Sequence, residues 1–213
     1  MKSKKKILRL ILSLLIVASA IGAFLFFDTA QVVIDPGHGG SDVGAEYGGR
    51  YEKDDNLALA LLVEDELKEQ GIDVVLTRDD DLFVSLGKRC VIANRKKAQL
   101  FVSLHRNSAK GAKGVEIWVS SDSPEADKAL AESILNGLDE AGISKNRGVK
   151  SGYAQGNGDY YVNSHTDMPS CLVELGFINN DEDNLLYDGN LEVYAEAIAA
   201  AIADNLEQTQ KGG

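Results

Sequence analysis

Three short stretches of this chain are almost continuously apolar and then break into polar residues. Val32-Val33-Ile34 runs into Asp35-Pro36-Gly37-His38-Gly39-Gly40, Leu100-Phe101-Val102-Ser103-Leu104 into His105-Arg106-Asn107-Ser108, and Cys171-Leu172-Val173 into Glu174-Leu175-Gly176-Phe177. A strand with one wet face alternates apolar with polar residues, whereas a strand covered on both faces does not. These runs therefore read as strands sandwiched between helices. Residues 72–77 and Val115–Val119 have the same character. Helical spacing lies between them. Residues 54–70 form a strongly apolar stretch stopped by Gly71, and Leu86, Cys90 and Ala93 share one face within 85–97. Ala126, Leu130, Ile134 and Leu138 mark another helix ending near Gly142, and Tyr194, Ile198, Ala201 and Ile202 a last one. Strands alternating with helices predict an α/β domain with a central, largely parallel sheet and helices on both faces. Residues 31–213 carry no Pro- or Ser-rich linker and no repeat, so they read as one domain. The longest irregular stretch is 150–163, rich in Gly and Tyr, and long loops in such folds tend to carry function.

Charge divides the chain in two. Lys2, Lys4, Lys5, Lys6 and Arg9 oppose Asp28 alone within residues 1–30, while residues 31–213 hold 17 basic and 32 acidic side chains, a net of −15. An acidic body repels nucleic acid, so no nucleic-acid partner is expected. Residues 10–27 contain no charge. At ~1.5 Å per residue the run spans about 27 Å, close to the hydrocarbon thickness of a bilayer. Residues 1–30 thus read as a cytoplasmic basic flank and a transmembrane signal-anchor, with 31–213 outside the cytoplasm. The rival is a cleaved signal peptide: Ala18-Ser19-Ala20 is a cleavage-like site, although cutting there leaves an apolar tail. Cys90 and Cys171 both fall where small buried hydrophobes belong, which favours free thiols over a bridge.

In open α/β sheets ligands gather beyond the carboxyl ends of the strands. His38 and His105, two of the chain's three histidines, lie at such ends. Two neutral imidazoles and one carboxylate, with a position left for water, are a donor set suited to catalytic zinc. For the carboxylate, Glu52 stands before the helix that follows His38, while Glu46, Asp42 and Asp35 compete on spacing alone. Glu174 is embedded in an apolar strand, and burial raises a carboxyl pKa toward the range of a general acid or base. Its structural alternative is a buried ion pair with Arg89 or Arg106.

These residues resemble a known family. Asp35-Pro36-Gly37-His38-Gly39-Gly40, Glu52-Lys53-Asp54, Thr77-Arg78 with Arg89 and Ala93-Asn94, the Ser103-Leu104-His105 motif, and Val173-Glu174-Leu175-Gly176-Phe177 appear in the order seen in the zinc-dependent N-acetylmuramoyl-L-alanine amidases of bacterial cell-wall turnover. The resemblance implies that His38, Glu52 and His105 bind one Zn²⁺ and that Glu174 is the catalytic glutamate. It implies a mixed, mainly parallel six-stranded sheet. The implied reaction is hydrolysis of the amide between N-acetylmuramic acid and L-alanine in peptidoglycan, which makes peptidoglycan the partner outside the cell.

Two residues depart from the family pattern. Arg106 stands where many members carry a small or apolar residue, so that it either contacts a stem-peptide carboxylate, together with Asn107, or pairs with a local acid. His165 precedes the last strand, where the family has no metal ligand, and reads as a surface or rim residue. The segment 148–169 is too short for the blocking helix of some relatives, which predicts an open cleft. A zinc peptidase and an inactive wall-binding protein are the competing functions. A nucleotide site is disfavoured because neither a Gly-Lys-Ser/Thr nor a G-x-G-x-x-G spacing is present.

Overall fold

In the computed structural model, which describes residues 29–154 and 156–211, β1 (Val32–Pro36) is buried along its whole length. It pairs in parallel with β4 (Val74–Leu76) on one side and with β5 (Leu100–Asn107) on the other. β5 in turn pairs in parallel with β8 (Ser170–Phe177). Beyond β8 the direction reverses: β6 (Val115–Val119) runs antiparallel to it, and β7 (Asn146–Ser151) completes the order β4-β1-β5-β8-β6-β7. The reversal follows from chain length. Residues 108–114 are all that join β5 to β6, too short for the crossover a parallel return requires. The sheet is therefore mixed, mainly parallel and six-stranded.

Alternation along these strands divides the core. Val32, Ile34, Val102, Leu104 and Val173 pack with α1 (Glu52–Glu69), α3 (Glu125–Glu140) and α5 (Asp181–Lys211). Val33, Phe101 and Leu172 point to the other face, against α2 (Leu86–Lys96) and the short α4 (Tyr161–His165). Both faces are covered, which is why the strands read as apolar runs.

Several boundaries differ from expectation. α1 starts at Glu52, two residues early, because acidic residues in the first turn (Glu52, Asp54, Asp55) suit a helix N-terminus whatever the apolar pattern says. β5 continues three residues past Leu104, so His105 and Arg106 are strand residues. α5 begins at Asp181, well before Tyr194, and is interrupted by non-helical dihedrals at Asn190. Three small elements had no sequence signal. The hairpin of β2 (Glu46–Tyr47) and β3 (Arg50–Tyr51) is two residues per strand, β7 is a polar edge strand, and α4 is a single turn.

The transmembrane anchor read over residues 1–30 lies, up to residue 28, outside the described residues. Among those described, no helix is long and apolar enough to cross a membrane. Cys90 sits in the α2-side core and Cys171 in the α1-side core, so the sheet itself separates them, and both are free. Unreduced, denatured protein is expected to release two titratable thiols per chain in a colorimetric thiol assay; none would contradict this arrangement.

Candidate active site

The chain from β1 turns outward through α1 to β4, whereas the connection from β5 leads the other way. A crevice opens between carboxyl ends where such connections diverge, here beyond β1 and β5. Residues 37–40 cross that crevice, and two buried arginines hold their backbone. Arg78 donates to the carbonyls of Pro36 (3.0 Å), Gly37 (2.9 Å) and Lys53 (2.8 Å). Arg89 donates to Pro36 O (2.7 Å), His38 O (2.6 Å) and the carboxylate of Asp35 (2.6 Å). Three successive carbonyls are thereby turned toward guanidiniums, and His38 is left in the left-handed region at φ 60°. A non-glycine residue there is costly and tends to mark function. Gly37 is required for close approach, since a Cβ at that position would lie 2.2 Å from the His105 ring.

Glu52, the first residue of α1, is the hub. Its Oε1 lies 2.9 Å from His105 Nδ1 and 3.2 Å from His38 Nε2. The same oxygen accepts from Arg106 N (3.2 Å) and Asn56 Nδ2 (3.3 Å), and Oε2 accepts from Ala45 N (2.8 Å). Asp42 Oδ2 stands 2.9 Å from His38 Nδ1, which leaves Nε2 facing inward. The two rings meet edge to face with centroids 5.0 Å apart. Burial alone would raise the Glu52 carboxyl, but hydrogen bonds and charge from His105 and His38 hold it well below the usual range. For His38, burial is outweighed by Glu52 and Asp42, and its pKa is raised. One ligand atom from each of His38, Glu52 and His105 lies within 4.8 Å of the others, so the three could hold a metal ion. Two imidazoles and an ionised carboxylate match the donors of a catalytic zinc, and Asp42 stands close enough to His38 Nδ1 to be the kind of outer contact that orients a ligating imidazole. The competing carboxylates are disposed of by position. Glu46 is exposed on the hairpin, Asp35 faces Arg89, and Asp42 backs His38.

Glu174 sits on β8 between His105 of β5 and Glu116 of β6 in the strand registers, and is 7% exposed. Neither arginine named as its alternative partner is available. Arg89 pairs with Asp35, and Arg106 with Asp55 at 2.6 Å. Tyr160 neighbours the carboxylate, and among the described residues Oε2 has no hydrogen-bond partner. Burial first, then the charges of Glu52 and Glu116, push its pKa well above the ordinary value. Glu116 itself is neutralised by Arg147 (2.6 Å) and Lys150 (2.5 Å). Glu174, His38, Glu52 and His105 all line one cleft of about 1000 Å³, walled by Phe83 and Leu86 on the α2 side and by Tyr153, Tyr160 and Tyr161 opposite.

The two residues read as substrate contacts fare differently. Arg106 is 1% exposed; its guanidinium also donates to Asn184 (2.7 Å) and lies over the Tyr187 ring at 4.3 Å. Its charge is spent inside the fold, so the local-acid alternative is the arrangement found, and a substrate contact by its side chain is corrected. Asn107 lines the cleft while donating to Glu116 (2.9 Å). His165 is exposed and stacks on Tyr161, with centroids 3.8 Å apart. Sequence reasoning singled out neither Glu116 nor Tyr160, gave Arg78 only a place in the family pattern, and gave Arg89 that place and a candidate pairing with Glu174. The available signal was an arginine on the apolar face of α2 and a glutamate inside the apolar run Val115–Val119.

Arg89→Ala leaves Asp35 buried without its cation and should cost about 3–5 kcal/mol in urea unfolding. For Glu174 the sign is set by linkage. A raised folded-state pKa keeps a proton that the unfolded chain loses as pH climbs past the ordinary carboxyl value, so stability falls with rising pH across that window. In metal-free protein, Glu174→Gln should flatten this decline and melt higher than the parent at neutral pH. Parallel curves of melting temperature against pH would contradict the assignment.

The family model described as N-acetylmuramoyl-L-alanine amidase matches residues 32–208. An uncharacterized Bacillus subtilis protein, YqiI, is 41% identical over 180 residues, which cover 83% of this chain and 82% of that one. The amidase AmiC2 of Nostoc punctiforme superposes with a TM-score of 0.74 at 40% identity, over 83% of this chain and 96% of that structure. Cwp6 from Clostridium difficile gives a TM-score of 0.77 at 37% identity over 83% of this chain, which spans 29% of that longer protein. With its strands, its cleft and nearly all of its described length within that match, the chain belongs to the N-acetylmuramoyl-L-alanine amidase family of enzymes.

Proposed function

We propose that this protein hydrolyses the amide between the lactyl group of N-acetylmuramic acid and the L-alanine of peptidoglycan stem peptides, with zinc held by His38, Glu52 and His105 and with Glu174 as the general base. The observation that carries the reading is one cleft containing two imidazoles clustered on a buried carboxylate, together with a second buried carboxylate that has an oxygen unpartnered among the described residues. Bound zinc would supply Lewis-acid activation of water and of the scissile carbonyl.

The chain's own residues do the rest. Asp42 lies beside His38 Nδ1 with Nε2 inward, and Asn56, Ala45 N and Arg106 N fix the Glu52 carboxylate. Glu174 takes the proton of the attacking water at Oε2 and returns it to the leaving amine nitrogen. Its raised proton affinity suits a group that must both accept and donate, and a cation beside it moderates that affinity. The apolar run 10–27 behind five basic residues supports a membrane-anchored protein with residues 31–213 outside the cytoplasm, where peptidoglycan lies.

Purified protein incubated with peptidoglycan should release free stem peptides, and a chelator should abolish that release. Freed amino acids without stem peptides would indicate a peptidase; no product would indicate an inactive wall-binding protein. Glu174→Ala should retain zinc by elemental analysis and lose at least ~100-fold in rate, the lower end of proton-transfer contributions. His38→Ala should lose the metal itself.

A further inference from the structure

Charge is spread unevenly across the carboxyl edge of the sheet. His105, Glu174 and Glu116 stand on β5, β8 and β6, each directly opposite the next in the strand registers, so the three share one face. Beyond Glu116 the row ends at β7, whose Arg147 and Lys150 both reach back to Glu116 Oε2, at 2.6 and 2.5 Å. Asn107, which lines the cleft, donates to Glu116 Oε1 (2.9 Å), as does Trp118 Nε1 (3.2 Å). The cluster is therefore continuous with the site.

Two cations on one carboxylate leave a positive charge in surplus, in a body where acids outnumber bases. Glu116 is buried and accepts four bonds. Its cations are less fully used, and their side chains are 26% and 31% exposed. Arg147 places Nε on Glu116 and Nη1 on Lys113 O (3.4 Å), while Nη2 has no partner among the described residues. Lys150 Nζ commits one of its three donors to Glu116 and lies 5.3 Å from the centre of the Trp118 ring. Lys113, a third cation nearby, is taken by Glu182 (2.7 Å). Glu116 is thus a buried post that holds two partly exposed cations one strand beyond Glu174.

The direction of the substrate follows from the reaction. The scissile carbonyl belongs on the side of the imidazoles, and the leaving amine takes its proton from Glu174. The stem peptide then continues from Glu174 across Glu116 toward β7. Adjacent strands lie about 4.8 Å apart and an extended residue spans about 3.5 Å, so the residue after L-alanine arrives beside Arg147 and Lys150. In peptidoglycan that residue is a γ-linked glutamyl unit whose α-carboxyl is free in some stems and amidated in others.

We propose that Arg147 and Lys150 form a subsite for this α-carboxylate, so that the protein prefers stems in which it is free. The proposal rests on the amidase reading and adds a substrate class to it. A guanidinium and an ammonium bind a carboxylate through charge-assisted bonds about twice as strong as the neutral ones a carboxamide of the same shape makes. The cation that Arg106 does not offer to the stem peptide is supplied instead from the edge strand.

The test compares two soluble glycan–peptide fragments, identical except for a free α-carboxylate or an α-carboxamide on the residue after L-alanine, with the full chain in detergent micelles. The parent should cleave the carboxylate fragment with a kcat/KM at least about tenfold higher, the weight of one hydrogen bond to a charged group. In Arg147→Gln and in Lys150→Gln this preference should shrink through loss on the carboxylate fragment, with the carboxamide fragment cleaved within about twofold of the parent rate. Both fragments are measured on one preparation, so the ratio is independent of how much of a variant folds. A parent preference below about twofold overturns the proposal, as does a preference that survives unchanged in both variants. Equal loss on the two fragments also overturns it, because the cations then serve only to hold Glu116. If the parent cleaves neither fragment nor purified peptidoglycan, it is the amidase reading that fails.

Discussion

The site depends on β5 lying in parallel register between β1 and β8. Parallel pairing brings three carboxyl ends to one edge of the sheet. The register sets Asp35 opposite Ser103 and His105 opposite Glu174. A slip of one residue in either ladder would send His105 or Glu174 to the opposite face of the sheet. The separation between the imidazole and the glutamate is thus fixed by the backbone hydrogen-bond ladder rather than by flexible loops. Glu52 joins them because α1 starts at the same edge, and its first turn presents the carboxylate to both histidines.

Such an edge collects buried charge, and the fold answers it pair by pair. Asp35 meets Arg89, Asp55 meets Arg106, and Glu116 meets Arg147 and Lys150. Arg78 is engaged by carbonyls instead of carboxylates. Glu174 differs from these acids in keeping an oxygen with no partner among the described residues. An unsatisfied buried carboxylate is destabilising in a resting fold, and proteins accept that cost at sites that must act. The same reasoning applies to His38, whose left-handed backbone is sustained by the guanidiniums behind it.

Much of this was legible from residue order. Continuous apolar runs identified β1, β5, β6 and β8, helical spacing identified α1, α2 and α3, and the polar residues closing the runs singled out His38, His105 and Glu174. Elements without an apolar pattern escaped: β7 has a largely polar edge sequence, and α4 is too short to show a period. Arg106 was ambiguous, because a long cation beside a candidate ligand reads equally as a substrate contact or a buried partner. Its resolution needed Asp55, Asn184 and Tyr187, which come from α1 and α5.

Local order in the chain was enough for the layered α/β architecture and for the chemistry available at the strand ends, since hydropathy period and residue type are properties of neighbouring residues. Which carboxylate meets the histidines and which arginines clamp the loop beneath them are matters of strand order and register. Those contacts join residues 41 to 54 positions apart in the loop clamp and 53 apart between Glu52 and His105. Distances of that kind exist only once the sheet has closed and its two faces are covered.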